Sequence, residues 1–396
     1  MRADFVLTSE SVTQGHPDKL CDQISDAIVD RFLEQDPLSR IRAECAIATG
    51  VVFVAARFAS KAQVDIPEVA RRVIRQVGYQ QGEFDAGRCT IMTSLTESPP
   101  NVLQCIDERR ATDDQIEALT VDNQATAFGF ACTQTPAFMP LPIWLAHQLA
   151  RRLAEVSRDR GLVYLSPDGK TQVGVEYRDR KPHRIHSIAL MASQREAGRP
   201  RPEELRGDLI ESVITPVFAD EAVRPDAHTR IFVNPAGTLV GGGPAAHAGL
   251  TGRKNAVDTY GEYSRNSGDA LSGKDPLRID RIGAYAARHA AKNIVAAGLA
   301  TECEVQLTYS IGLSRPVSVQ VESFGTGVVD DTTLAHRLEH RFDFRLLGIV
   351  RRFALRHLPA ARHGSFYGTL AAYGQVGRIE LDLPWESVEE ADALRG

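Results

Sequence analysis

At 396 residues the chain is too long for one ordinary hydrophobic core and implies two or three domains. Its 43% hydrophobic and 24% charged content is that of a globular protein, and a net charge of -5 excludes a generally basic nucleic-acid binder while leaving room for a local basic pocket. No apolar run reaches the roughly 18 residues of a membrane span, the start Met1-Arg2-Ala3-Asp4-Phe5 lacks a signal-peptide core, and the six cysteines are scattered without C-x-x-C spacing. Structural zinc, a disulfide framework and a membrane partner are therefore not expected, and a cytoplasmic location is.

The first chemistry-bearing stretch spans residues 9–28. Pro17 suits the first turn of a helix, where its missing N–H costs nothing. Leu20, Ile24, Ala27, Ile28 and Phe32 then fall on one helical face. His16, Asp18 and Lys19 sit in that first turn, where free N–H groups and the helix dipole favour an anion. Such an Asp suits a divalent cation and such a Lys suits phosphate oxygens. Taken alone, the same residues suit a proline-capped surface helix better than a site.

Residues 43–56 read as one buried strand, followed by a helix opening at Asp65-Ile66-Pro67 with Val69, Val73 and Val77 on one face. Residues 89–95 read as a strand. The stretch 97–121, with Pro99-Pro100 and a run of charges, reads as a mobile surface loop, a lid in its functional version. A second unit starts near Ala127, with a helix over 142–153, strands over 171–177 and 186–191, and a helix ending at Ile214. A third begins with a strand at 229–233 and holds a long helix over 281–297 and a strand over 304–309. Helices and strands are intermixed without regular alternation, so the fold class is α+β with three comparable units. The expected division is 1–105, a mobile linker at 106–126, then 127–228 and 229–396, with structural domains interleaved in sequence.

Between Gly241 and Asp280 glycines alternate with cations, a combination that suits a polyphosphate because glycine lets the backbone approach closely. Residues 268–274 match the G-x-x-x-x-G-K spacing of a P-loop. Asp275 stands where the magnesium-binding Ser or Thr belongs, however, and no buried strand precedes the glycine, so a P-loop is rejected.

Several motifs in order carry a resemblance. They are Gly15-His16-Pro17-Asp18-Lys19, Phe128-Gly129-Phe130-Ala131, Pro167-Asp168-Gly169-Lys170-Thr171, Gly249-Leu250-Thr251-Gly252-Arg253-Lys254, Ser272-Gly273-Lys274-Asp275-Pro276 and Pro384-Trp385-Glu386. Nearly end to end, the chain resembles the S-adenosylmethionine synthetases. The resemblance implies three similar α+β domains with pseudo-threefold symmetry, assembled as homodimers or dimers of dimers with sites between subunits. It implies attack of methionine sulfur on C5′ of ATP and release of triphosphate, which is then cleaved to pyrophosphate and phosphate. It places His16 at the leaving oxygen and Lys19, Lys170, Arg253, Lys254, Lys274 and Arg278 on the phosphates, with Arg278 where the family has Lys. Asp168 is implied at the adenosine end, Leu239 and Ile311 beside adenine, Asp18 and Asp280 on Mg2+, and Glu44 near K+.

The acceptor side departs from the family. Arg57 replaces a Glu that helps hold methionine's ammonium, Asn123 (after Asp122) replaces an Asp, His247 replaces an Asp, Glu97 a Gln, and Leu239 a stacking Phe. A unit charge about 4 Å from another is worth about 4 kcal/mol at an effective dielectric of about 20, and Glu to Arg reverses its sign. Three readings follow: S-adenosylmethionine formation, adenosyl transfer to another acceptor (an anion or water), or a non-catalytic partner of a synthetase.

Overall fold

Three times along the chain an edge strand is followed by a long helix, a β-hairpin and further helix; the computed structural model describes residues 4–99, 105–159 and 161–395. The first pass is β1 (Phe5–Val12), α1 (Pro17–Gln35), β2 (Arg40–Ala48), β3 (Val51–Ala59), α2 (Ile66–Val77) and β4 (Thr90–Glu97). A short helix, α3 (Asp113–Ala118), leads into the second: β5 (Ala125–Cys132), α4 (Leu141–Arg158), β6 (Leu165–Arg178), β7 (Lys181–Gln194), α5 (Pro202–Leu209), α6 (Thr215–Phe218) and β8 (Arg230–Val233). The third holds β9 (Gly249–Leu250), α7 (Asn255–Asp258), α8 (Ile279–Ala296), β10 (Glu302–Tyr309), β11 (Ser318–Glu322) and α9 (Asp331–Arg341).

The strands form three sheets, ordered β1-β6-β7-β8, β11-β10-β5 and β4-β3-β2-β9. Each sheet joins the hairpin of one pass to the edge strand of the pass before it, and the exchange closes in a circle. β1 pairs with β6, β5 with β10, and β9 with β2, all antiparallel. The long helices α1, α4 and α8, of 19, 18 and 18 residues, each pack on the hairpin of their own pass. The fold is α+β, with three similar units and no unit self-contained. Because β5 hydrogen-bonds to β10, the segment starting near Ala127 contributes its first strand to the β11-β10-β5 sheet.

Local sequence explains most elements. On α1 the apolar face of Leu20, Ile24, Ile28 and Phe32 is buried, and Asp30 on the same helix accepts backbone N–H groups from Phe366, Tyr367 and Gly368 at 3.0, 2.9 and 2.9 Å. Removing that acceptor leaves three donors unpaired, two of them buried and each of those worth about 1–3 kcal/mol. Asp30→Ala is therefore expected to cost about 3 kcal/mol or more in urea unfolding, with Asp30→Asn intermediate. Equal midpoints for all three proteins would rule this out. The terminal Pro384-Trp385-Glu386 motif locks α8: Trp385 stacks on Tyr285 at 3.8 Å, and Glu386 receives Arg288 at 2.9 Å and Lys292 at 2.7 Å.

Two expectations differ from the structure. Residues 43–56 are not one strand but the hairpin β2–β3, turned at Thr49-Gly50, with Thr49 at φ 49°. The stretch 97–121 does not run as a bare loop. Glu97 ends β4, and the capping box of Thr112 and Gln115 starts α3. Ile116, Leu119 and Val121 are buried, and the Val121 carbonyl accepts the Gly312 N–H at 3.1 Å while its own N–H donates to the Leu313 carbonyl at 2.9 Å. A polar composition hid this helix because only its few apolar residues reach the core. Pro100 lies outside the described residues.

Candidate active site

The start of α1 is clamped between two segments distant in sequence. A Cβ on Gly15 would lie 2.3 Å from the Pro167 carbonyl oxygen, and one on Gly249 would lie 2.2 Å from the Pro17 carbonyl carbon, so only glycine fits at either place. Tyr79 donates its hydroxyl to the Gly15 carbonyl at 2.6 Å. The helix start is thereby brought against β6 and β9.

His16 is the N-cap residue of α1, and its Nδ1 accepts the Asp18 amide N–H at 3.2 Å. Burial pushes the imidazole down to about 4, against the opposing pull of Asp168 and Asp18. At neutral pH it is uncharged, and with Nδ1 accepting, Nε2–H is its donor. Asp18 Oδ1 accepts the Leu250 amide at 3.0 Å and meets Arg253 Nε at 3.1 Å. Asp168 Oδ2 receives the Gly243 amide at 2.8 Å and His247 Nε2 at 3.0 Å, while its Oδ1 is buried without a partner. Burial alone would raise the Asp168 carboxyl, but those hydrogen bonds hold it below its ordinary value. The His16 and His247 rings lie 5.1 Å apart. Lys170, two residues beyond Asp168 on β6 and opposite Val12, is exposed, and among the described residues no carboxylate pairs with it.

A second group gathers at the other end of β2. The Lys274 backbone forms an antiparallel bridge with Arg42 and its ammonium meets Asp280 at 3.2 Å; Asn123 donates its amide to Asp280 at 2.7 Å. Arg278 pairs with Asp122 at 3.0 Å, and Arg40 reaches the same carboxylate at 3.5 Å. Exposed Ile311 lies beside them, its neighbour Gly312 bonded to Val121. On the same sheet Glu44 lies two residues from Arg42 on β2, Arg57 faces Arg42 from β3, and Glu97 ends β4 one residue beyond Thr96, the β4 partner of Arg57. Arg42 and Arg57 stand directly opposite each other in the β2–β3 register; Arg42 is paired to Glu44 at 2.6 Å, and among the described residues Arg57 has no carboxylate partner.

The expected site residues thus fall into two groups. Gly249, beside the first, faces Ile47, and Lys274 of the second faces Arg42. Five strand residues at about 3.3 Å each put these ends about 17 Å apart. Half-buried Leu239 belongs to the first end, its carbonyl taking the Gln194 amide at 2.8 Å. Lys254 is tied to Glu10 at 2.7 Å.

Lys19 belongs to neither group and corrects the expectation of a phosphate contact. Its ammonium has no exposed surface and is enclosed by Asp22, at 2.8 Å, and Asp258. Those two carboxylates hold it above its usual range although burial alone would lower it. The glycine-rich run also differs in use, since the Gly243 amide points at Asp168 and the Gly273 amide at Asp26. Tyr79, Asp22 and Asp258 were not singled out by sequence; Asp22, three residues after Lys19 on one helix face, carried the only available signal.

A cyclic three-unit α+β chain with cations and imidazoles gathered at one helix start defines a candidate anion-handling site. The chain matches the N-terminal domain of S-adenosylmethionine synthetase over residues 4–100, the central domain over 118–239 and the C-terminal domain over 241–387. It is 48% identical to an S-adenosylmethionine synthase of Synechococcus elongatus, covering 100% of this chain and 98% of that protein. It is 47% identical to one of Acaryochloris marina (99% and 96%) and 48% identical to one of Gloeobacter violaceus (99% and 97%). The chain belongs to the S-adenosylmethionine synthetase family.

Proposed function

We propose that this chain forms S-adenosylmethionine from ATP and L-methionine, releasing triphosphate that it then cleaves to pyrophosphate and phosphate. The observation that carries the reading is the match to synthases of that name over the whole chain. The geometry supports it. The methionine sulfur attacks C5′, and the leaving group is a polyanion whose departure needs preorganised donors and cations. Neutral His16 offers an Nε2–H donor at the start of α1, beside unpaired Lys170 and exposed Arg253. Lys274 and Arg278, from the second group, extend the set.

Asp18 and Asp280 fit Mg2+, which takes one or two carboxylates together with substrate phosphates. Among the described residues no donor occupies Asp18 Oδ2, and Asp280 receives only Asn123 and Lys274. Mg2+ held there would neutralise charge on the departing triphosphate. Glu44 does not fit K+ as it stands, because the Arg42 guanidinium already neutralises it, and no step is derived through that ion.

The separation of the two groups supports a homodimer with sites completed across the interface, and pairing of dimers into tetramers is compatible with it. One rung of the β4-β3-β2-β9 sheet, Met92–Phe53–Ala46–Leu250, is apolar across all four strands, with Met92, Phe53 and Leu250 exposed. A second copy covering this face would bring the first group of one chain toward the second group of its partner.

Incubation with ATP, Mg2+ and K+, with and without methionine, followed by mass spectrometry, tests the reading. A methionine-dependent S-adenosylmethionine peak supports it. Adenosine or another 5′-adduct without that peak, or intact ATP throughout, overturns it. Unpaired Arg57, facing Arg42, favours a second reading in which the acceptor is anionic. If methionine is the acceptor, Arg57→Glu removes a like charge near its ammonium and is expected to raise kcat/KM for methionine about tenfold or more. An unchanged or lower value would place the methionine ammonium away from this strand.

A further inference from the structure

We propose that His16, Asp168 and His247 form a binding site for a borderline divalent transition-metal ion, represented by Zn2+ and Co2+. Each side chain places one ligand atom within 4.8 Å of those of the other two. Bonds of about 2.0–2.2 Å draw such a set together with small rotamer adjustments. Two imidazoles and one carboxylate suit borderline metals, whereas Mg2+ prefers oxygen alone. The position of His247, where the resemblance implies an Asp, supplies the second nitrogen.

Three details of the site point the same way. Among the described residues Asp168 Oδ1 is a buried carboxylate oxygen without a hydrogen-bond partner, which leaves its lone pairs available to an ion. His16 Nδ1 lies 3.8 Å from Asp18 Oδ2. When Nε2 takes the metal, its proton moves to Nδ1, which gives up the Asp18 amide it accepts in the free chain and turns to donate to that carboxylate, the carboxylate–histidine–metal relay that orients many ligands. The His247 side chain is 35% exposed, which provides an entry path and leaves coordination positions for water. Lys170 and Arg253 oppose a cation here, and Asp18 and Asp168 balance them.

Because Asp168 and His16 are also placed at the nucleotide, metal and adenosine exclude one another; this consequence rests on the proposed function, whereas metal binding does not. The test is titration of the chelator-stripped, full-length chain with Co2+, read by visible absorbance, and with Zn2+, read by calorimetry. One equivalent per chain is expected. His247→Ala, at a partly exposed loop position, and Asp168→Asn should each weaken it more than about hundredfold with unchanged circular dichroism. The other clustered set, Asp107, Glu108 and His357, has its carboxylates tied to Arg109 and Arg356, so His357→Ala should leave binding intact. Absence of a bound equivalent, or its loss in His357→Ala but not in His247→Ala, overturns the site. Adenosine, which lacks phosphates to chelate the ion, should displace Co2+. Metal that binds but resists adenosine leaves the site standing and removes the nucleotide from this pocket; adenosine binding without metal does the reverse.

Discussion

Lys19→Met is expected to destabilise the folded chain rather than weaken a phosphate contact. Methionine matches the length of the aliphatic stem but leaves Asp22 and Asp258 facing each other with no cation and no water. Removing one partner of a buried charge network costs about 3–5 kcal/mol, a large share of the 5–15 kcal/mol that typically holds a domain together. A much lower urea midpoint is the expected result, with ATP affinity of the remaining folded protein little changed. A midpoint near wild type combined with lost ATP affinity would return Lys19 to the phosphate site.

The pH dependence provides a second readout. Burial raises the Asp258 carboxyl to about 7, even though Lys19 draws it down. Its unfolded value is about 3.9. Between these values the folded chain binds more protons than the unfolded one, so this group's contribution to stability falls as pH rises from about 4 through about 7. Lys19→Met removes the one cation opposing that trend. Its stability deficit should therefore be smaller at pH 5 than at pH 8, and a deficit independent of pH would show that Asp258 does not titrate in the folded chain.

Lys170→Met should do the opposite, leaving stability nearly untouched and lowering kcat by about 10²–10³-fold. That is the usual loss when one preorganised group is removed from a developing oxyanion. The side chain is exposed and, among the described residues, has no carboxylate partner, so no ion pair of the folded chain is lost. Its ammonium stands near enough to His16 to depress that imidazole, which places it at the helix start where the triphosphate is proposed to leave. Rates of S-adenosylmethionine formation, measured beside urea midpoints, separate the two lysines. A kcat within about threefold of wild type would take Lys170 out of the reaction.

The contrast between these lysines marks what sequence could reveal here. Both stand in motifs that read as phosphate-binding, and both carry the same charge. Only Lys170 emerges from its strand toward open space. Lys19 turns inward because Asp258, 239 residues away, is brought beneath the helix by the same packing that sets Gly249 against Pro17. A short-range pattern holds no information about that partner.

Residue pattern by itself determined the α+β class, the start of α1 at Pro17, the apolar face of that helix and the family, because each depends on local periodicity or on residue types in fixed order. It also located His16, Asp18, Asp168 and the acid-to-base changes at Arg57 and His247. Only the tertiary structure decided that the edge strands β1, β5 and β9 are exchanged in a circle, since backbone hydrogen bonding constrains strand partners without recording them in composition. It likewise decided that His247 meets Asp168, that Asn123 meets Asp280, and that the two groups sit at opposite ends of β2. These are contacts between residues up to 157 positions apart, set by how three units close on one another and not by any property of the segments alone.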